Sequence, residues 1–224
     1  MTVHLQLDIS DLHRELLAMC GRVEDLIHRA VEQLPAANLE ECQNIIKADN
    51  EIDRMDVRIE DLCLKVLALH QPVAIDLRRI TTVMKISAEL ERVADLAANI
   101  SERACGLLEN PEVQIPDLVS EMADKAIAML HHSIDAYVDL NSELARQVCQ
   151  EDDEIDKMNK QVIDQLITFM HNAPDQLDAL LHLFSASRQI ERVADHATNI
   201  AEDVVYLVEG SIIRHATSLE NQAP

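Results

Sequence analysis

The stretch ERVADLAANISE, Glu91 to Glu102, returns one hundred positions later as ERVADHATNIAE, Glu191 to Glu202, with nine of twelve residues identical. Upstream, DNEIDRM (Asp49 to Met55) returns as DDEIDKM (Asp152 to Met158), now offset by 103. Two segments repeating in the same order at nearly one offset predict a duplicated structural unit of about one hundred residues. Both echoes carry carboxylates four apart, so whatever chemistry they support is duplicated with the scaffold.

The 224 residues, 48% of them hydrophobic, are enough to bury a core. Three glycines, no tryptophan and 2% aromatics point to helices, because sheets lean on aromatic and β-branched residues and on glycine turns. A net charge of −22 repels phosphate backbones and anionic lipid heads, which argues against nucleic-acid or membrane-surface binding. It favours cations and basic protein surfaces. The five cysteines show no C-x-x-C spacing and read as small apolar filler. With no signal-peptide core and no apolar run near about eighteen residues, the chain reads as soluble, reduced and cytoplasmic.

Prolines punctuate strongly periodic segments. In the second segment Ile52, Met55, Ile59, Leu62, Val66 and Leu69 step by three and four. The third does the same from Val83 through Leu90 and Ala97 to Leu107, so each segment offers a seam to partner helices. The predicted helices cover 8–34, 38–70, 72–109, 116–140, 141–171 and 174–209. Asn38 and Asn141 suit N-caps, Pro72 and Pro174 first-turn positions, and Gly210 a C-terminal stop. Short links force antiparallel neighbours. The expected fold is all-α: two tandem three-helix bundles, one over 1–110 and one over 116–210, with a mobile tail at 211–224.

Residues four apart on a helix share a face. Asp49 with Asp53 and Glu91 with Asp95 therefore form two-carboxylate clamps, matched by Asp152 with Asp156 and Glu191 with Asp195. With 41 acidic residues in 224, chance alone supplies about seven such pairs. Chance does not supply two pairs per half, in order, at comparable distances from a helix turn. Four crowded carboxylates repel unless a cation settles among them, and an all-oxygen site suits iron, manganese, magnesium or calcium. Asn99, Asn199, Glu102 and Glu202 stand as candidate outer ligands, whereas Arg92 and Arg192 are expected to point away from the clamps.

Five segments carry a resemblance: DNEID at 49–53, QPVAIDLRRI at 71–80, LERVAD at 90–95, DDEID at 152–156 and IERVADHATNIAEDVVYLVEG at 190–210. They resemble the PhoU family of bacterial phosphate-transport accessory and regulatory proteins, over about residues 8 to 212. The resemblance implies the same pair of three-helix bundles, with multinuclear iron or other divalent cations on the eight clamp carboxylates. It also implies regulation, not catalysis. Such a protein restrains the phosphate ABC importer when phosphate is plentiful and keeps the phosphate-sensing histidine kinase inhibitory. It bridges that kinase and the transporter's ATPase subunit, commonly as a homodimer. Ala94 and Ala194 stand where many members have glycine.

Two alternatives remain: a carboxylate-bridged di-iron enzyme, or a PhoU-like relative regulating another transporter. The enzyme reading is weakened because no histidine has a glutamate three residues before it, as ferritin-like sites require. The adjacent His131 and His132 lack the surroundings of a phosphotransfer histidine and read as exposed side chains.

Overall fold

The computed structural model describes residues 3–110 and 112–213. Six helices follow one another: α1 Val3–Glu32, α2 Leu39–His70, α3 Ala74–Leu107, α4 Asp117–Asp139, α5 Ser142–Asn172 and α6 Leu177–Glu209. A 3-10 turn at Pro174–Gln176 leads into α6, and there is no strand among the described residues. The 34 residues of α3 run about 51 Å. The all-helical tandem predicted from the repeat is the fold observed.

Local chemistry sets the helix ends. The Asn38 side chain accepts the Glu41 N–H at 3.1 Å, and that of Asn141 accepts the Glu143 and Leu144 N–H groups at 3.1 Å. Each oxygen satisfies donors that have no partner within the first turn. Gly210 closes α6 in the left-handed region at φ 75°, its N–H donating to Tyr206 O at 2.9 Å. Pro72 departs from expectation. Helix α2 ends on left-handed Gln71 (φ 45°), and α3 begins only at Ala74 (φ 52°), after Val73 in the extended region. A residue before proline avoids the right-handed helical region, so Gln71 turns the chain and Pro72 falls in the link. Leu69 also departs: it is 76% exposed, because the apolar seam of α2 ends at Val66. Of the predicted tail, residues 214–224 lie outside those described.

The two trios share one hydrophobic core. The most extensive helix pairing joins α3 to α6, across the halves rather than within either. Ala94, Ala97, Ser101 and Ala104 on α3, and Ala194, Ala197 and Ala201 on α6, are all fully buried. Small side chains let neighbouring backbones approach. Gly106 takes this furthest, since a Cβ there would strike the His182 ring of α6. The contact is antiparallel: Lys85, early in α3, reaches Asp203, late in α6, at 2.9 Å. The cysteines are free, and Cys20, Cys42 and Cys63 are buried, with burial pushing each thiol up to about 12. Among the described residues no helix is long and apolar enough to cross a membrane.

Gly210 gives a direct test. A Cβ there would collide with Nη1 of Arg78, on top of the positive φ. Gly210→Ala is expected to cost about 1 kcal/mol or more, lowering the melting temperature by roughly 2–4 °C in a chain of this size. Thermal unfolding followed by circular dichroism checks it.

Candidate metal centres

Two contacts fix the register in which the acidic rows meet. Ser87 Oγ of α3 donates to Asp56 Oδ1 of α2 at 2.6 Å. One turn further along antiparallel helices, Asp53 comes level with Glu91, and after another turn Asp49 comes level with Asp95. In the second half Thr198 Oγ1 of α6 donates to Asp152 Oδ1 of α5 at 3.4 Å, which sets Asp152 beside Asp195 and Asp156 beside Glu191.

The electrostatics follow this geometry. Burial, then repulsion from Asp53 on its own helix and Asp95 across the groove, pushes Asp49 up to about 6. Burial raises Glu91 as well, with Asp95, Asp56 and Asp53 adding to it and Arg92 opposing. Asp152 rises through burial and Asp156, against the Thr198 hydrogen bond. Glu191 rises through burial, Asp156 and Asp152, while Arg188 and Arg192 oppose. Packing around its carboxyl raises Asp195 to about 6, and Glu191, Asp152 and Asp156 contribute. Because Asp195 as a whole is exposed, the charge of those three carboxylates is the part that matters most there. All eight clamp residues thus line two grooves, α2–α3 and α5–α6. Among the described residues no three His, Cys, Asp or Glu side chains converge on one coordination point.

Several neighbours differ from expectation. Arg92 does not point away: its Nη1 lies 3.0 Å from Asp95 Oδ2 and its Nε 3.2 Å from Glu91 Oε2. A long cation beside two uncompensated carboxylates folds back over them. In the second half Arg188 approaches Glu191 at 3.4 Å, one turn before the clamp. Asn99 Nδ2 donates to Asp95 O of its own helix, and Asn199 Nδ2 to Glu89, so neither amide turns its donor into the grooves. Glu102 pairs with Arg103 at 3.5 Å. His196 Nδ1 meets Glu89 Oε2 of α3 at 2.6 Å and serves the helix contact. Asp56 is a groove residue that the four-residue spacing alone misses. Its signal was present, since Asp49, Asp53 and Asp56 fall at i, i+4 and i+7 on one face.

The donor set is all oxygen, suited to hard cations. Asp49 Oδ1 is buried with no hydrogen-bond partner, an arrangement that normally demands a ligand or a proton. The duplicated helical scaffold with two acidic grooves defines a class, and comparison with known proteins places it. A family model described as PhoU domain matches residues 16–104 and again 119–204. A phosphate-specific transport system accessory protein PhoU homolog from Pseudomonas aeruginosa is 34% identical over 213 residues, covering 93% of this chain and 86% of its own. The crystal structure of PhoU from the same organism has a TM-score of 0.86 at 33% identity, over 92% of this chain and 99% of that one. The regulatory protein PhoU of the phosphate transport system from Streptococcus pneumoniae gives 0.85 at 26% identity, over 93% and 99%. The chain belongs to the PhoU family. Its relatives are named as accessory and regulatory proteins, not enzymes.

A carboxyl raised in the folded state binds its proton more tightly there than in the unfolded chain, where it titrates near about 3.9. Between about pH 4 and pH 6 the folded form therefore holds more protons, and the contribution of Asp49 and Asp195 to stability falls as pH rises. With chelator present, the melting temperature of the wild type should drop relative to Asp49→Asn/Asp195→Asn between pH 4.5 and 7.5. Parallel curves would reject the crowding.

Proposed function

We propose that this protein restrains the phosphate ABC importer through its ATPase subunit when phosphate is plentiful and supports the inhibitory state of the phosphate-sensing histidine kinase. It works in the cytoplasm as a homodimer. The observation that carries this reading is the likeness, over both halves, to accessory proteins of phosphate-specific transport. A strain lacking the gene is expected to keep phosphate-starvation genes switched on in phosphate-rich medium. Normal repression in that strain would refute the assignment.

In the same reading the two duplicated units, 1–110 and 116–210, each hold hard cations: iron, manganese or magnesium. The ligands are Asp49, Asp53, Glu91 and Asp95 in the first, and Asp152, Asp156, Glu191 and Asp195 in the second. The partnerless Asp49 oxygen and the purely carboxylate donor set support this. A bound cation supplies the positive charge that allows the facing carboxylates to ionise together. The residues do the rest: Asp49 and Asp53 present one wall, Glu91 and Asp95 the other, and Arg92 must swing clear of Glu91 and Asp95 first.

In the second unit Arg188 holds only Glu191, and at the longer 3.4 Å, so the two units are unequal in degree. Titration with Mn²⁺ at pH 7.5 should load the second unit at lower concentration than the first. Arg92→Ala should tighten the weaker class by about two- to fivefold, the worth of an exposed ion pair. Asp95→Ala and Asp195→Ala should each remove one class. A single class unmoved by Arg92→Ala would sink the ligand assignment without touching the transport role.

A further inference from the structure

A cleft of about 320 Å³ opens between the halves, far along the helices from either acidic row. It is walled by α1, α3, α4 and α6, with Ile9, Leu12, Val83, Val138, Leu140 and Leu207 among its apolar lining. Among the six helices, α1 and α4 touch each other least of all the pairs that meet, and the cleft fills the gap they leave. Helix α1 has 30 residues against 23 in α4, and its extra N-terminal turns provide one wall.

Three features mark it as more than a packing defect. First, His13 Nδ1 lies 3.0 Å from the Tyr137 hydroxyl, a polar pair set into apolar walls. Burial lowers the imidazole and raises the phenol, so both are neutral at pH 7. Second, Arg79 also lines the cleft, close enough for its charge to act on Tyr137. Its ion pair with Asp76 is long, 3.9 Å, and leaves the guanidinium fork free to take a carboxylate in two parallel hydrogen bonds. Third, Leu140 at the rim is left-handed, φ 51° and ψ 42°, where a helix end ordinarily takes glycine or asparagine. The strained residue puts a large apolar side chain at the mouth.

The volume sits at the lower end for small-molecule sites, and it is less than the roughly 420 Å³ of a single helical turn about 10 Å across. At about 30 Å³ per small solvent-sized group it accepts a molecule of about ten non-hydrogen atoms. We infer that this cleft binds a small apolar monocarboxylate. Its carboxylate lies on Arg79, its polar edge meets the His13–Tyr137 pair, and its hydrocarbon lies along Leu12, Val83 and Leu207. A ligand held there touches helices of both halves and braces the seam where α1 and α4 part.

Octanoate, at ten non-hydrogen atoms, is the probe. Full-length protein in chelator, which removes any cation route, should show a saturable rise in melting temperature with octanoate. Octan-1-ol and octylamine should need at least tenfold higher concentrations for the same rise. Arg79→Gln should abolish most of the octanoate effect while unfolding cooperatively. Independently of any variant, leucine-methyl NMR of the wild type should shift at Leu12, Leu140 and Leu207. Equal stabilisation by octanol, an undiminished effect in Arg79→Gln, methyl shifts confined to other leucines, or no saturable effect would each overturn the inference.

Discussion

The carboxylate of Asp203 is 2% exposed and is met by Lys85 Nζ at 2.9 Å across the contact between α3 and α6. A charge buried that deeply is tolerated only with a partner in good geometry, so the ion pair ties the late turns of α6 to the early turns of α3. Glu89 adds a second tie with His196 and Asn199, and Gly106 removes the side chain that would hold the other ends apart. The consequence reaches both grooves. Helix α3 supplies Glu91 and Asp95 to one, and α6 supplies Glu191 and Asp195 to the other. The inner walls of the two acidic sites are therefore opposite faces of one packed helix pair, and their mutual placement is as rigid as that pair.

Set against this rigid centre, the grooves are built at a cost to the fold. Carboxylates that repel across a helix pair oppose the packing of α2 on α3 and of α5 on α6. That packing survives because the apolar seams below are buried: Ile52, Ile59, Leu90 and Val93 in one half, Ile155, Val162, Ile190 and Val193 in the other. Arg92 folding back over Glu91 and Asp95 is the same pressure relieved from within the chain.

Much of this was legible before any coordinates. Two repeats at offsets of 100 and 103 specify the duplication, and Asn38, Asn141 and Gly210 mark helix ends because capping chemistry is local. That the acidic pairs stand at comparable distances from a helix turn was also visible in the sequence. What stayed hidden is non-local. A heptad pattern reports one seam, whereas α3 buries several faces, so Thr82, Ser87 and Ser101 count as polar in sequence and as interior in the fold. The pairing of α3 with α6 joins residues about a hundred apart and leaves no periodic trace. Arg92 was misplaced for a related reason: a 100° step along the helix describes Cβ, while a long guanidinium reaches back over its own turn.

The duplicated halves have since diverged along the lines their shared contact dictates. Where α6 has His196, α3 has Leu96; where α6 has Asp203, α3 has Arg103; where α3 has Lys85, α6 has Ser185. One side of the α3–α6 contact is therefore closed by ion pairs. On the other, Arg103 Nε and Gln189 Oε1 are buried without hydrogen-bond partners. The grooves diverge in the same sense, with Asp56 in the first where Asn159 stands buried in the second. The extra carboxylate makes the first groove more acidic in composition, and Arg92 folds over two of its carboxylates. The second has one carboxylate fewer, with Arg188 beside Glu191. Two copies that began alike now differ in the composition of their acidic grooves, which lie on either side of a helix pair that holds both in fixed relation.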